Sequence, residues 1–443
     1  MMSKKLLKFF FFIFLFHIIL TDNNKNKTLV LIEDWHVVDT HSRFWNQIRE
    51  MNNDIYFKMV DDPEIKLTNF GEYIYNNIIY FAPSYNDISR KNEISITNLL
   101  QFIDDGHDLM IFGNEESGAF IRKLVNEFGI DFDDFDSKVK DSIYIHKNKN
   151  DLNSEFTDLK NDEIIITNNI TDIKHLKKNI KNYILYEGIG MDIDPQNNFV
   201  FPILKAGENA YSINLKNDNI YSNGNHIKLV SAYQARNNRR IVISGSTNLC
   251  SNKFYYLSNK DFNSNKSPNE EFCQNLLEWN FQITGVLKFE NIRHRRINDN
   301  ITLPTYRIRD ELIYEIDIYE YNPNNKNWEP YNTNDIQVEY VMMNPYYIGN
   351  LKKYDSSKPT YYTKFTSPDK FGVFKFIIDY ERKGYSNIFS STKVPLRPYY
   401  HNEYNRFLPC AYPYYTAVFI ILGAFVLFSI LFLYGEKKED KNI

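Results

Sequence analysis

A chain of 443 residues with 43% hydrophobic and 16% aromatic side chains can bury a sizeable core, and its length fits two or three domains. A net charge of -4 argues against a polyanionic partner such as nucleic acid. Three cysteines are too few for a disulfide scaffold, so packing must supply the stability.

At the N-terminus, Lys4, Lys5 and Lys8 surround the apolar runs Leu6-Leu7 and Phe9 to Leu20. Residues 1–21 read as a secretory signal peptide cut near Thr21, with an uncleaved signal anchor as the alternative. From residue 28 to 284, short apolar runs alternate with stretches of helical spacing. The runs are Thr28 to Ile32, Ile55 to Val60, Ile78 to Phe81, Leu109 to Phe112, Ile164 to Thr167 and Ile241 to Ser244. Helices are expected over His41 to Arg49, Ile94 to Asp104, Ala119 to Phe128 and Glu271 to Phe281. Buried strands alternating with amphipathic helices predict a doubly wound α/β domain with a parallel sheet.

Between residues 285 and 398 the helical period disappears. Leu312 to Tyr319, Ile336 to Met342, Tyr361 to Phe365, Val373 to Tyr380 and Ile388 to Val394 read as strands of a β-sandwich. A juxtamembrane segment (399–415) then leads into an uncharged apolar stretch from Thr416 to Tyr434. As a helix this stretch spans roughly 28 Å, close to a ~30 Å hydrocarbon core. Tyr412, Tyr414, Tyr415 and Tyr434 mark the interfaces, and Pro409 and Pro413 are expected to stop the helix outward. Residues 435–443 form a charged tail. Signal peptide and stop-transfer helix together predict a single-pass type I topology with the bulk of the chain outside the cytosol.

In that compartment Cys250 and Cys273 could pair, leaving Cys410 at the membrane edge; three buried or idle thiols are the alternative reading. Sequons begin at Asn26, Asn169, Asn265 and Asn300, in a chain rich enough in asparagine for chance matches.

A search for reactive constellations assigns no catalytic, cofactor-binding or metal residue. The loop Glu33 to Asp39 places acids where a phosphate needs glycines and N–H groups. In Gly113-Asn-Glu-Glu-Ser-Gly118 the P-loop spacing is present, but Ala119-Phe120 replace the Lys-Ser/Thr pair; Gly188-Ile-Gly190 lacks its third glycine. Asp192-Ile-Asp194 matches a metal-binding Asp-x-Asp, a pattern that Asp131-Phe-Asp133 and Asp134-Phe-Asp136 repeat by composition. Ser244-Gly-Ser246 is not a nucleophile elbow, and His36 and His41, read as exposed or helix-capping, have no metal-ligand spacing. His17, His107 and His175 are scattered. The run Arg293-His-Arg-Arg296 reads as a solvated strand end.

Longer strings are more specific. Gln234-Ala-Arg-Asn-Asn238 leading to Ser244-Gly-Ser246, Thr40-His-Ser42 with Phe44, and Phe102-Ile-Asp104 with Gly106 belong to one pattern. So do Gly188-Ile-Gly-Met191, Gly285-Val-Leu287, Gly384-Tyr385 and Ala411-Tyr-Pro-Tyr-Tyr415. Over nearly its full length the chain resembles the family of 48 kDa subunits of the eukaryotic oligosaccharyltransferase. The resemblance implies a Rossmann-like (GIFT-like) lumenal domain, β-rich structure and one C-terminal membrane helix. It also implies a non-catalytic role in N-glycosylation at the endoplasmic reticulum membrane, without cofactors. Implied partners are a polytopic catalytic subunit, ribophorin-like and small membrane subunits, and the protein-translocation channel. The catalytic subunit's Trp-Trp-Asp-Tyr-Gly motif is missing, since Trp35, Trp45, Trp279 and Trp328 stand alone. Cys250 and Cys273 lie outside the family pattern, and the tail carries an incomplete dilysine signal.

Helix contacts in the membrane are expected at the small residues Ala417, Gly423, Ala424 and Ser429. The rival readings are a type I glycosyltransferase using Asp192 and Asp194, and a glycan-binding module.

Overall fold

The computed structural model describes residues 26–85, 93–141, 164–180, 183–257, 267–404 and 409–435. The expected leader, His17, Asn265 and the tail beyond Gly435 lie outside the described residues.

The first half is built on a nine-stranded sheet. Its parallel part takes β1 (Asn26–Ile32), α1 (Ser42–Glu50), β2 (Asn53–Met59), β3 (Asn77–Phe81), α2 (Ile96–Asp104), β4 (Asp108–Phe112) and α3 (Ala119–Asn126). The chain then runs through β5 (Ile130–Phe132), β6 (Met191–Ile193), β7 (Val200–Lys205), β8 (Lys228–Gln234) and β9 (Arg240–Ser244) to α4 (Pro268–Asn280). Spatial order is β2-β1-β3-β4-β9-β8-β6-β5, with β7 also paired to β8.

Alternation across the parallel strands explains their unbroken apolar runs, because both faces are covered. Val30, Ile32, Phe81, Met110 and Phe112 pack under Phe44, Trp45 and Ile48 of α1 and Phe272, Leu276 and Trp279 of α4. Leu29, Leu31, Tyr80, Leu109 and Ile111 meet Leu99 and Phe102 of α2 and Leu124 and Val125 of α3. Helix starts follow capping chemistry. The Ser95 hydroxyl accepts from Asn98 N at 3.1 Å before α2, and Ser267 accepts from Glu270 N at 3.2 Å with Pro268 behind it.

Only β2, β1, β3, β4 and β9 are mutually parallel. Beyond β9 every pairing is antiparallel, so the expected all-parallel sheet is corrected to a parallel half with an antiparallel wing. Ile165–Thr167, taken from sequence as a further strand of that sheet, pairs instead with Ile184–Tyr186 in a separate ribbon.

The second half forms two five-stranded sheets. One joins β10 (Leu287–Arg296), β12 (Glu311–Asn322), β13 (Asn327–Pro330), β16 (Lys352–Lys353) and β17 (Thr360–Thr366). The other orders β11 (Tyr306–Arg307), β19 (Ile388–Arg397), β18 (Gly372–Tyr380), β14 (Gln337–Val341) and β15 (Pro345–Asn350). Period-2 burial along β18 sends Phe374, Phe376 and Ile378 inward, where they share one core with Leu312, Tyr314 and Ile316 of β12.

The run Arg293 to Arg296 does end a strand and stays partly solvated, but its arginines are paired rather than free. It lies along β10 opposite β12, where Arg293 and Arg295 reach the buried Glu315 at 3.4 and 2.9 Å, Arg293 reaches Asp317 at 3.1 Å, and Arg296 reaches Asp310 at 2.8 Å.

The last helix, α5 (Tyr412–Tyr434), is preceded by a turn of 3-10 helix. Together they give one apolar segment, Pro409–Tyr434, long enough to cross a membrane. Pro413 does not stop this helix. It occupies the first turn, where its missing N–H costs nothing, and the helix begins four residues earlier than the apolar run suggests.

Candidate functional site

The chain leaves β1 to one side for β2 and returns to the other for β3, which makes the gap between the carboxyl ends of β1 and β3 a topological switch point. Open α/β sheets bind ligands in such crevices. Here a cavity of about 430 Å³ opens, lined by Glu33 and Asp34 after β1, Phe81 and Pro83 after β3, Asn114 after β4 and Thr247 and Asn248 after β9.

His36 and His41 also line it, on the short helix His36–Thr40 and its cap. His36 is exposed, but His41 is buried at 4% exposure: its Nε2–H donates to Thr247 O at 3.0 Å and its ring meets Phe81 edge-on. Burial lowers its pKa against the pull of the Thr247 and Val37 carbonyls. Burial likewise pushes the Glu33 carboxyl upward against hydrogen bonds from Ser84 and Tyr85.

Two acceptors in this wall are left over. Glu33 Oε1 and Asn114 Oδ1 are buried, and no donor reaches either. The wall itself is fixed. Asn252 Nδ2 donates to Asp39 O and Ser42 Oγ at 3.0 and 2.9 Å, and a Cys250–Cys273 disulfide ties the turn after β9 to α4.

A second cluster joins the two halves, and three of the strings singled out above, at Gln234–Asn238, Gly285 and Gly384-Tyr385, converge on it. Gln234 Nε2 donates to Tyr385 O, while Gln234 Oε1 accepts from Gly384 N at 3.3 Å. Asn238 Oδ1 accepts from Asn387 N at 2.5 Å. Arg240 is fully buried and donates to Trp279 O, Thr284 O and Gly285 O at 2.7, 2.6 and 2.7 Å. Trp279 Nε1 donates to Gly384 O at 2.9 Å, and His175 Nε2 lies 2.9 Å from Glu320. Gly285 has φ +68, and a Cβ there would strike the Gly384 carbonyl, so both conformation and space demand glycine.

The remaining candidates are not gathered. Asp192 lies on β6 opposite Asp131, its carboxylate accepting from Ile193 N, while Asp194 accepts from Gln196 N, each at 2.9 Å. Among the described residues no group of three or more His, Cys, Asp or Glu could hold a metal. Gly188 packs backbone to backbone on Gly245, where a Cβ would collide with the Gly245 carbonyl. Asn26 and Asn300 are exposed. Asn169 Nδ2 is engaged with Asn225 Oδ1 at 2.9 Å. On α5, Ala417 and Ala424 fall within ~20° of one another, whereas Gly423 and Ser429 stand ~120° to either side. Ser429 bonds back to Phe425 O at 2.8 Å.

The sequence had not singled out Glu33 and Asn114 as partners, nor Arg240 at all. Arg240 stands beside Arg239 just before the apolar run Ile241 to Ser244, where a solvated strand start is the ordinary reading.

Fold and site define a class: a two-part α/β and β body, joined by a buried polar network and carried on one apolar helix. Residues 20–283 match the N-terminal domain of OST48 and residues 294–436 the OST48 middle domain, and the chain belongs to this family. It is 35% identical to the dolichyl-diphosphooligosaccharide–protein glycosyltransferase 48 kDa subunit of Arabidopsis thaliana, covering 93% of each chain. The proteins of that name from Drosophila melanogaster and Danio rerio are 33% and 31% identical, with 95% of each chain and 94% and 93% covered. A solved ThuA-like protein from Parabacteroides merdae aligns at 12% identity and a TM-score of 0.33, over 58% of this chain and 90% of that one, too weak a likeness for argument.

Proposed function

We propose that this chain is a non-catalytic, structural subunit of an oligosaccharyltransferase, the complex that transfers a preassembled oligosaccharide from dolichyl diphosphate to Asn of Asn-X-Ser/Thr. The observation that carries this reading is the joint: Gln234, Asn238, Gly285 and Gly384, from the strings shared with the family, are spent on holding two halves together. They form no reactive centre. The relatives' name supplies the complex.

In this reading residues 28–284 are a Rossmann-like unit and 285–398 a sandwich-like unit, both in the endoplasmic reticulum lumen. Residues 399–415 form a collar, and 416–434 a single type I span that packs against membrane subunits. The segment after β19 is held to the body by Glu403, which pairs with Arg397 at 2.6 and 2.8 Å. Partners are the polytopic catalytic subunit, ribophorin-like and small membrane subunits, and the translocation channel.

The test is affinity capture of the tagged full-length chain from detergent-solubilised membranes, followed by mass spectrometry. Oligosaccharyltransferase subunits are expected in the eluate. A chain that elutes alone, or with unrelated proteins, would sink the reading.

A further inference from the structure

We propose that the end of the β-rich half from which the chain leaves for α5 rests on the lipid surface, with Met343 and Phe371 inserted among the headgroups. Strand register brings four connections to this end. Leu396 of β19 lies opposite Gly372 at the start of β18, Arg397 lies opposite Arg307 of β11, and β14 ends at Val341 opposite Lys375. In the facing sheet Arg296 of β10 lies opposite Leu312, and Glu311 lies opposite Thr366 at the end of β17. Connections 297–305, 308–310, 342–344 and 367–371 therefore surround the exit of the chain at Arg397. Two of them touch: Lys370 Nζ lies over the Tyr346 ring at 5.5 Å, and a Cβ on Gly372 would strike Met342 Sδ.

These connections carry the three most exposed large apolar side chains between residues 285 and 400: Met343 at 92%, Ile301 at 72% and Phe371 at 69%. Single exposed apolar side chains need no explanation, but three gathered at one end mark a contact surface. The occupant follows from the chain itself. Arg397 and Arg307 hold Glu403 to the body, at 2.6 and 3.7 Å. Five residues then separate Tyr404 from Pro409, where the apolar segment begins, and a chain extends at most ~3.6 Å per residue, so this end stands within ~18 Å of the membrane helix. Tyr400 and Tyr404 are exposed along the way, and Tyr412, Tyr414 and Tyr415 follow, the residue type that sits at headgroup level. The charges here are compensated, Arg309 by Asp369, Arg296 by Asp310 and Arg397 by Glu403, so apolar insertion into uncharged lipid is the contact this end can make. Asn300, beside Ile301, begins a sequon, and a glycan there would hold that tip off the lipid; Asn300 should therefore be unmodified.

The inference rests on the reading of α5 as a membrane span, and its test separates the two. The purified full-length chain would be placed in phosphatidylcholine nanodiscs with acyl chains brominated either beside the headgroups or at the bilayer centre. Tryptophan quenching would be read for Phe371→Trp, Met343→Trp and Phe425→Trp in α5, with Asn325→Trp, on the exposed hairpin at the opposite end of β12, as the control. Bromines beside the headgroups should quench the added fluorescence of Phe371→Trp and Met343→Trp about twofold or more beyond that of Asn325→Trp. Bromines at the centre should quench Phe425→Trp. If they do, while both tip variants match Asn325→Trp, the inference fails and the span stands; if Phe425→Trp is not quenched, both fail. A second readout needs no substitution. Phosphatidylcholine carrying a photoreactive diazirine beside the headgroup should label 342–344 and 367–371 of the unaltered chain, and labelling confined to 399–434 overturns the proposal. So does a glycan on Asn300, or a fall in the recovery of other subunits on Met343→Ser with Phe371→Ser while lipid labels neither tip, which would assign the surface to a protein partner.

Discussion

Arg240 concentrates the chemistry of the joint in one side chain. Its guanidinium gives three carbonyls their donors, and a ring contact with Trp279 at 4.9 Å covers its face. Burial lowers its pKa to about 10, which still leaves it charged at neutral pH. Arg240→Ala would leave three carbonyls without partners and open a void, so a loss of ~3–5 kcal/mol is expected in urea unfolding. Arg240→Lys keeps the charge without the planar fork and should fall between. Glu320 adds a pH dependence at the same joint. Burial alone would raise its pKa, but the contact with His175, together with the charges of Lys174 and Arg382, outweighs this and holds it below the ordinary 4.5. The folded value lies below the unfolded one, so the stabilisation is complete above about 4.5 and lost as pH falls through the depressed value. The stability gap between the native chain and Glu320→Gln should therefore close on acidification below pH 4.5, measured by denaturant midpoints across an acid series.

At the level of elements, the parallel half of the sheet was legible because doubly covered strands leave unbroken apolar runs flanked by amphipathic helices. The wing was not. Ile130–Phe132 and Met191–Ile193 are three residues each, too short for a period, and they pair across some sixty positions that no local pattern connects. The candidate cavity was hidden for a different reason. The acids after Ile32 argue against phosphate, but whether Glu33 has a donor depends on what the fold brings to it. Asn114 was visible only as part of a failed P-loop match. The Cys250–Cys273 bond fixes one wall of that cavity to α4 while closing a short loop of sequence separation 23. Chain-entropy arguments give such a loop ~3 kcal/mol. Cys273→Ser should lower the unfolding midpoint accordingly, and hydrogen exchange should rise first in the turn Asn248–Cys250, read by mass spectrometry.

For the whole molecule, the question is whether α5 only tethers the body or also selects partners. None of its side chains is buried in the described chain, and a Cβ on Gly423 would meet no atom within 4 Å. Bulk added there cannot disturb the body. Membrane helices associate through close packing at small residues rather than through the hydrophobic effect, because lipid tails are as apolar as leucine. Of the four small residues, Ala417 and Ala424 lie two turns apart on one face and can form such a contact together; Gly423 and Ser429 point elsewhere. The double change Ala417→Leu with Ala424→Leu should leave the urea unfolding of the body unmoved while cutting recovery of membrane subunits in affinity capture severalfold. Gly423→Leu should do so less. Equal recovery from all three would mean that α5 serves as an anchor and that assembly is decided by the lumenal body and its joint.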